Sequence, residues 1–145
     1  MAQPIYDTPE AVQNAFYQAI NDFDLDLMAS VWSSSDLTTW CIHPGGGLIT
    51  GHKAILESWK LLFTSGSRLQ AAIQPAGMTT SDSVTVFCVQ QHLSLTEDDR
   101  LIPPIIVTNV FHKEEDGSWR MIAHHASPTP DLDTLLNLDT PRVLH

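Results

Sequence analysis

The chain is short of cysteine, of positive charge and of tyrosine, and it contains no long apolar run. Its two cysteines, Cys41 and Cys88, are too few for a disulfide framework. Seven basic residues against 17 acidic ones leave a net charge of −10, which excludes the basic patch that nucleic acid or an anionic membrane surface demands. No stretch approaches the roughly 18 consecutive apolar residues of a membrane-crossing helix. The first residues, Met1-Ala2-Gln3-Pro4-Ile5-Tyr6-Asp7, lack the basic-then-apolar layout of a secretory signal. Together these absences predict a cytoplasmic protein with reduced thiols, no membrane contact and no nucleic-acid partner.

What is present fits one domain over residues 1–145, with a core over about 8–128 and a tail over 129–145. A chain of this length buries a core without disulfides or a structural metal. Asp7 or Thr8 followed by Pro9 and Glu10 predicts a helix start, and Val12, Ala15, Phe16, Ala19 and Ile20 then recur on one helical face. A shorter helix is expected with Asp24 or Asp26 at its start and Leu25, Met28, Ala29, Val31 and Trp32 inside. Leu37 to His43 reads as a strand that enters the Pro44-Gly45-Gly46-Gly47 turn, and Leu48-Ile49-Thr50 as a short second strand. Ile55, Trp59, Leu62 and Phe63 mark a third helix. The second half reads as strand: Leu69 to Ile73, Ser83 to Leu95, Leu101 to Lys113 and Trp119 to Ala126. A charged hairpin is expected at 96–100, an Asp116-Gly117 hairpin turn after it, and a helical turn or two over 131–138.

Helices first and a meander afterwards predict an α+β fold, with helices packed on one face of a curved antiparallel sheet. In the late strands both alternating positions are apolar, as in Val84, Val86 and Cys88 against Phe87, Val89 and Leu93. A sheet with one wet face alternates more cleanly. A homodimer packed through the sheet face is therefore expected.

Three stretches carry a family resemblance. They are Met28-Ala29-Ser30-Val31-Trp32; Cys41-Ile42-His43-Pro44-Gly45 with Gly51 and Ile55-Leu56-Glu57-Ser58-Trp59; and Thr108-Asn109-Val110-Phe111 with Gly117-Ser118-Trp119-Arg120-Met121-Ile122-Ala123-His124-His125-Ala126-Ser127-Pro128. The chain resembles the SnoaL-like branch of the nuclear transport factor 2-like and ketosteroid isomerase-like superfamily over roughly residues 8–128. The resemblance implies a cone-shaped α+β barrel (the cystatin-like fold), its sheet wrapped around the N-terminal helices, usually dimeric. It implies no single activity, because that superfamily hosts isomerases, cyclases, dehydratases, epoxide hydrolases, transport adaptors and assembly domains. The chain also departs from the steroid isomerases, whose sites use an Asp base with a Tyr and a protonated Asp. The corresponding strand positions here carry Asn109 and His125, and Tyr6 and Tyr17 are the sole tyrosines.

Strand parity selects the candidate site. Cys41 and His43 share one strand face, Asn109 shares a face with Val107 and Phe111, and His125 shares one with Trp119, Met121 and Ala123. Catalytic candidates are His125 as general acid or base, Asn109 as an oxyanion donor and His43 at the pocket mouth. Trp32, Trp40, Cys41, Trp59, Phe63 and Phe111 are the candidate ligand-binding set around a small apolar or aromatic molecule. Each has a plainer alternative: a strand-end hydrogen bond for His125, a satisfied buried amide for Asn109, a fastened turn for His43, a small hydrophobe for Cys41 rather than a nucleophile. His124 is expected to face a subunit interface or solvent. Cys41, His43, His92 and His125 are metal-ligand types, but no compact ligand spacing joins them, so neither a metal nor a cofactor is expected. The leading expectation is a small-molecule-binding protein. The alternative is a cofactor-free acid–base isomerase, cyclase or dehydratase, and a pure dimerisation module is the third class.

Overall fold

In the computed structural model, which describes residues 3–34, 38–66, 69–95 and 103–129, helix α1 spans Pro9–Asp22. The Thr8 hydroxyl accepts the Ala11 N–H at 3.0 Å, and Pro9 occupies a first-turn position where its missing N–H costs nothing. The helix ends on Phe23 in the left-handed region (φ 53°). Asp24 then caps α2 (Leu25–Val31) by accepting the Leu27 N–H at 2.9 Å. Helix α3 covers His52–Thr64 and begins after Gly51, whose φ of 92° favours glycine.

Six strands form one curved sheet: β1 (Trp40–Ile42), β2 (Leu48–Thr50), β3 (Leu69–Thr80), β4 (Val84–Leu95), β5 (Ile105–Lys113) and β6 (Trp119–Pro128). Their spatial order is β2-β1-β6-β5-β4-β3. The α+β architecture is the expected one, with helices on the sheet's inner face. The sheet is not antiparallel throughout, because β1 runs parallel to β6. Nor does β3 end at Ile73, the expected limit of that strand. The strand continues to Thr80 past a register shift between Pro75 and Gly77. Proline is tolerated there because β3 is an edge strand and the ladder is already broken at the bulge. The expected hairpin at 96–100 and the helical turns at 131–138 lie outside the described residues.

The inner face of the sheet packs on α1. Val12, Phe16 and Ala19 from the helix and Val107, Phe111 and Met121 from the strands are fully buried. Asn21 fastens the far end of α1 to β3: its amide donates to the Ala71 carbonyl at 3.0 Å, and its Oδ1 accepts the Ala71 N–H at 2.7 Å. At the other end of the cone the N-terminal segment is held across β6. Trp119 N–H donates to the Tyr6 carbonyl (2.9 Å), and Arg120 reaches the carbonyls of Ser30 and Pro4. Among the described residues no helix is long and apolar enough to cross a membrane.

A single irregularity decides the site. Phe111 pairs with Met121, but the preceding Val110 pairs with Ala123, so Ile122 is an extra residue in β6. A β-bulge of this kind reverses the facing of every later residue in the strand. Beyond it the inward position opposite Asn109 belongs to His124, and His125 stands opposite Thr108 on the outer face. The expectation that His125 faces inward and His124 outward is therefore reversed: His124 is 2% exposed and His125 is exposed.

Candidate functional site

The site grows from Asn109 on β5, which is fully buried beneath α1. Its Nδ2 donates to Gln13 Oε1 at 3.0 Å and to the Tyr17 hydroxyl oxygen at 3.1 Å. Both partners lie one helical turn apart on α1, so one face of the helix reads one amide. Asn109 Oδ1 is then left as an acceptor, and His124 Nδ1 lies 2.6 Å from it. An oxygen without a proton fixes the imidazole as the donor, so Nδ1 carries the hydrogen and Nε2 carries a lone pair. Burial, with smaller contributions from the neighbouring His43 and His125, lowers the His124 pKa to about 3. The ring is a neutral acceptor at physiological pH. Burial likewise raises the Tyr17 hydroxyl well above its ordinary range, so that group stays a neutral phenol.

Parallel pairing of β1 with β6 places Cys41 beside His124. Cys41 Sγ is 3.8 Å from His43 Nε2, so the two share the inner side as the spacing predicts. Ser58 on α3 gives its hydroxyl hydrogen to the Ile55 carbonyl at 2.6 Å. Its oxygen, 2.9 Å from His43 Nε2, therefore accepts, which leaves the second lone pair of the site on His43 Nδ1. Burial lowers the His43 pKa and raises that of Cys41 to about 12. A thiol held protonated in this way is no nucleophile at neutral pH.

Trp59 stands between the two imidazoles, edge-on to His43 at a centroid distance of 4.6 Å and tilted to His124 at 6.0 Å. Phe16 closes the inner side, 4.9 Å from His124 and 5.5 Å from Trp59. The result is a pocket of about 270 Å³ that His43, Trp59 and His124 line together with Ile20, Leu62, Leu93 and Gln91. Among the described residues no Lys, Arg, Asp or Glu lines it. Two of its lining residues carry a polar atom that is itself fully buried, Trp59 Nε1 and Gln91 Oε1, and neither atom has a hydrogen-bond partner among the described residues.

A broader groove of about 590 Å³ runs between the first turns of α1 and strands β3 and β4, past Glu10, Gln13, Met78 and Phe87. It is larger, but the smaller pocket holds the paired imidazoles. Gln13 belongs both to the groove wall and to the amide chain that ends at His124.

The candidate residues from the sequence separate clearly. His43, Trp59 and Cys41 come together, with Phe63 packed behind Trp59 at 5.8 Å. Trp32 and Phe111 are fully buried in the core rather than on the pocket wall. Trp40 lies on the opposite parity of β1 from Cys41 and is 37% exposed. Asn109 is central, but both hydrogens of its amide are committed to α1, so it orients His124 rather than presenting donors to a ligand. His92 and His125 are exposed, and among the described residues no group of three or more His, Cys, Asp or Glu side chains is placed to hold a metal. Sequence reasoning missed His124, Gln13, Tyr17 and Gln91. The one available signal was on α1, where Gln13 and Tyr17 fall at helical spacing beside the apolar positions Phe16 and Ile20.

A family model described as SnoaL-like domain matches residues 10–131. The chain is 27% identical over 117 residues to the F-box protein SKIP8 of Arabidopsis thaliana, covering 81% of this chain and 48% of that protein, so it spans about half of that relative's length. Among solved structures it is similar to a domain from Thiobacillus denitrificans assigned as a calcium/calmodulin-dependent protein kinase type II association domain. That match has 33% identity and a TM-score of 0.82, and covers 88% of this chain and 100% of the other. It also shares its fold with a protein of the nuclear transport factor 2-like family from Streptomyces avermitilis assigned as a dehydratase. There the identity is 21% and the TM-score 0.74, over 84% of this chain and 94% of the other.

Proposed function

The chain belongs to the SnoaL-like domain family, and from that premise we propose that it binds a small, largely apolar molecule in the pocket between His43, Trp59 and His124. The observation that carries this reading is the held imidazole. Asn109 fixes the His124 ring from behind, and its remaining nitrogen has no partner among the described residues. Aromatic and aliphatic walls with a few convergent polar groups are the usual make-up of a small-molecule site. The pocket needs no cofactor for this. A fragment screen read by the Trp59 indole N–H resonance tests it, using the wild type and Leu93→Trp, which fills the pocket from β4. Hits that shift Trp59 and are lost in Leu93→Trp support the reading; hits indifferent to that substitution contradict it.

A second reading is cofactor-free acid–base chemistry of the isomerase, cyclase or dehydratase kind, with His124 rather than His125 taking a proton. The Asn109–His124 pair favours it, because an imidazole with one nitrogen anchored and the other unshared is the form a general base needs. The depressed pKa weighs against it, since a strongly desolvated imidazole is a weak base.

A homodimer through the outer sheet face is part of the proposal. Val84, Val86 and Cys88 on β4 and Ile106 and Val110 on β5 share that face, and Ile106 is 39% exposed. The Thiobacillus relative is itself named for association. A cytoplasmic setting agrees with two free cysteines.

A further inference from the structure

The proposed pocket has a one-sided hydrogen-bonding character, and that character selects a ligand class. Resting on the pocket reading above, we infer that the ligand is a small, uncharged ring compound that donates a hydroxyl or N–H hydrogen to Nε2 of His124.

Three observations converge. First, the tautomer of His124 is set from outside the pocket. Gln13 Oε1 and the Tyr17 oxygen take both hydrogens of the Asn109 amide, so Asn109 faces His124 with its oxygen and Nδ1–H must donate. His43 is set in the same sense, since Ser58 spends its hydroxyl hydrogen on the Ile55 carbonyl and takes one from His43 Nε2. Both imidazoles therefore keep acceptors for a ligand. Second, among the described residues no cationic or anionic side chain lines the cavity, and burial keeps both rings neutral, so a carboxylate or phosphate ligand finds no countercharge among them. An ammonium ligand likewise finds no carboxylate among the described lining residues. Third, the cavity of about 270 Å³ is small, and its walls are the rings of Trp59 and His124 with Ile20, Leu62 and Leu93.

The reading separates this site from an oxyanion hole. Such a site presents donors to a developing negative charge. Here the amide donors of Asn109 are turned away toward α1, and the imidazoles present lone pairs.

Three matched probes test the inference on the unmodified protein at pH 7: 2-naphthol, its methyl ether 2-methoxynaphthalene, and 2-naphthoate. They differ only in a neutral donor, a capped donor and a charge. Binding is followed by the Trp59 indole resonance and by the ring nitrogens of His124. The naphthol is expected to bind about tenfold or more tightly than either of the others, because the ether leaves the buried lone pair unpaired and the carboxylate is desolvated without a partner. It is also expected to move the His124 Nε2 resonance. Equal affinity of naphthol and ether, or tightest binding of naphthoate, overturns the ligand class and leaves the pocket reading standing. If none of the three moves Trp59, the pocket reading falls as well.

Discussion

Asn109 Oδ1 stands 2.6 Å from His124 Nδ1, and this contact decides which nitrogen of the ring keeps its proton. Everything proposed for the pocket depends on it. The contact exists because β6 carries one residue more than β5 at Ile122, which turns His124 inward opposite Asn109.

Replacing Asn109 by Leu removes the acceptor and strands His124 Nδ1–H and Gln13 Oε1 in the core. A loss of about 3 kcal/mol of stability is expected, from buried groups left without partners. Asn109→Asp acts differently. A carboxylate 2.6 Å from the ring favours the imidazolium, so the His124 pKa rises toward the neutral range. An NMR titration of the variant checks this, and an unchanged His124 pKa contradicts it.

Stability depends on acid in a defined direction. In the unfolded chain His124 titrates near its ordinary value of 6.5; in the folded chain it does so near 3. Between those values the unfolded state binds more protons, so unfolding free energy rises with pH. The contribution is complete above about pH 6.5 and is lost as pH falls toward 3, with a limiting slope of about 1.4 kcal/mol per pH unit. His43 acts in the same direction. Urea melts at a series of pH values measure this, and a flat profile between pH 4 and 6.5 contradicts it.

The two cysteines separate by reactivity. Cys41 is fully buried with its pKa raised to about 12, whereas Cys88 is half-buried on the outer sheet face. With a thiol reagent at pH 8, Cys88 is expected to react first and Cys41 only with global unfolding. If the outer face is the dimer interface, Cys88 reacts faster on dilution. A concentration-independent rate contradicts that interface.

His125→Ala is expected to change stability by less than about 0.5 kcal/mol, as for most exposed positions without a special role. It also leaves probe binding unaltered, because His125 lies opposite Thr108 on the outer face. A loss of binding in His125→Ala, with the fold intact, contradicts the inward assignment of His124.

These residues show how far the sequence carries. The helices were legible from capping and periodicity, since Thr8, Pro9 and the Phe16–Ile20 spacing are local signals. The pairing of Cys41 with His43 was legible because it needs nothing beyond a two-residue period. The choice between His124 and His125 was not. Parity counting assumes a regular strand, and Ile122-Ala123 carries no glycine or other mark of a bulge. The parallel pairing of β1 with β6 was equally hidden, because it joins segments separated by most of the chain. Gln13 and Tyr17 were readable only as polar groups near an apolar helical stripe, and their partner Asn109 lies on a distant strand.

The central claim is that His124 is a neutral imidazole with its hydrogen on Nδ1 and its lone pair in reserve for a ligand. A long-range proton–nitrogen correlation spectrum of histidine-labelled protein at pH 7 tests it directly. The account predicts a protonated, pyrrole-like Nδ1 and an unprotonated, pyridine-like Nε2, unchanged down to about pH 5. A charged ring at pH 7, or the hydrogen on Nε2, would contradict it.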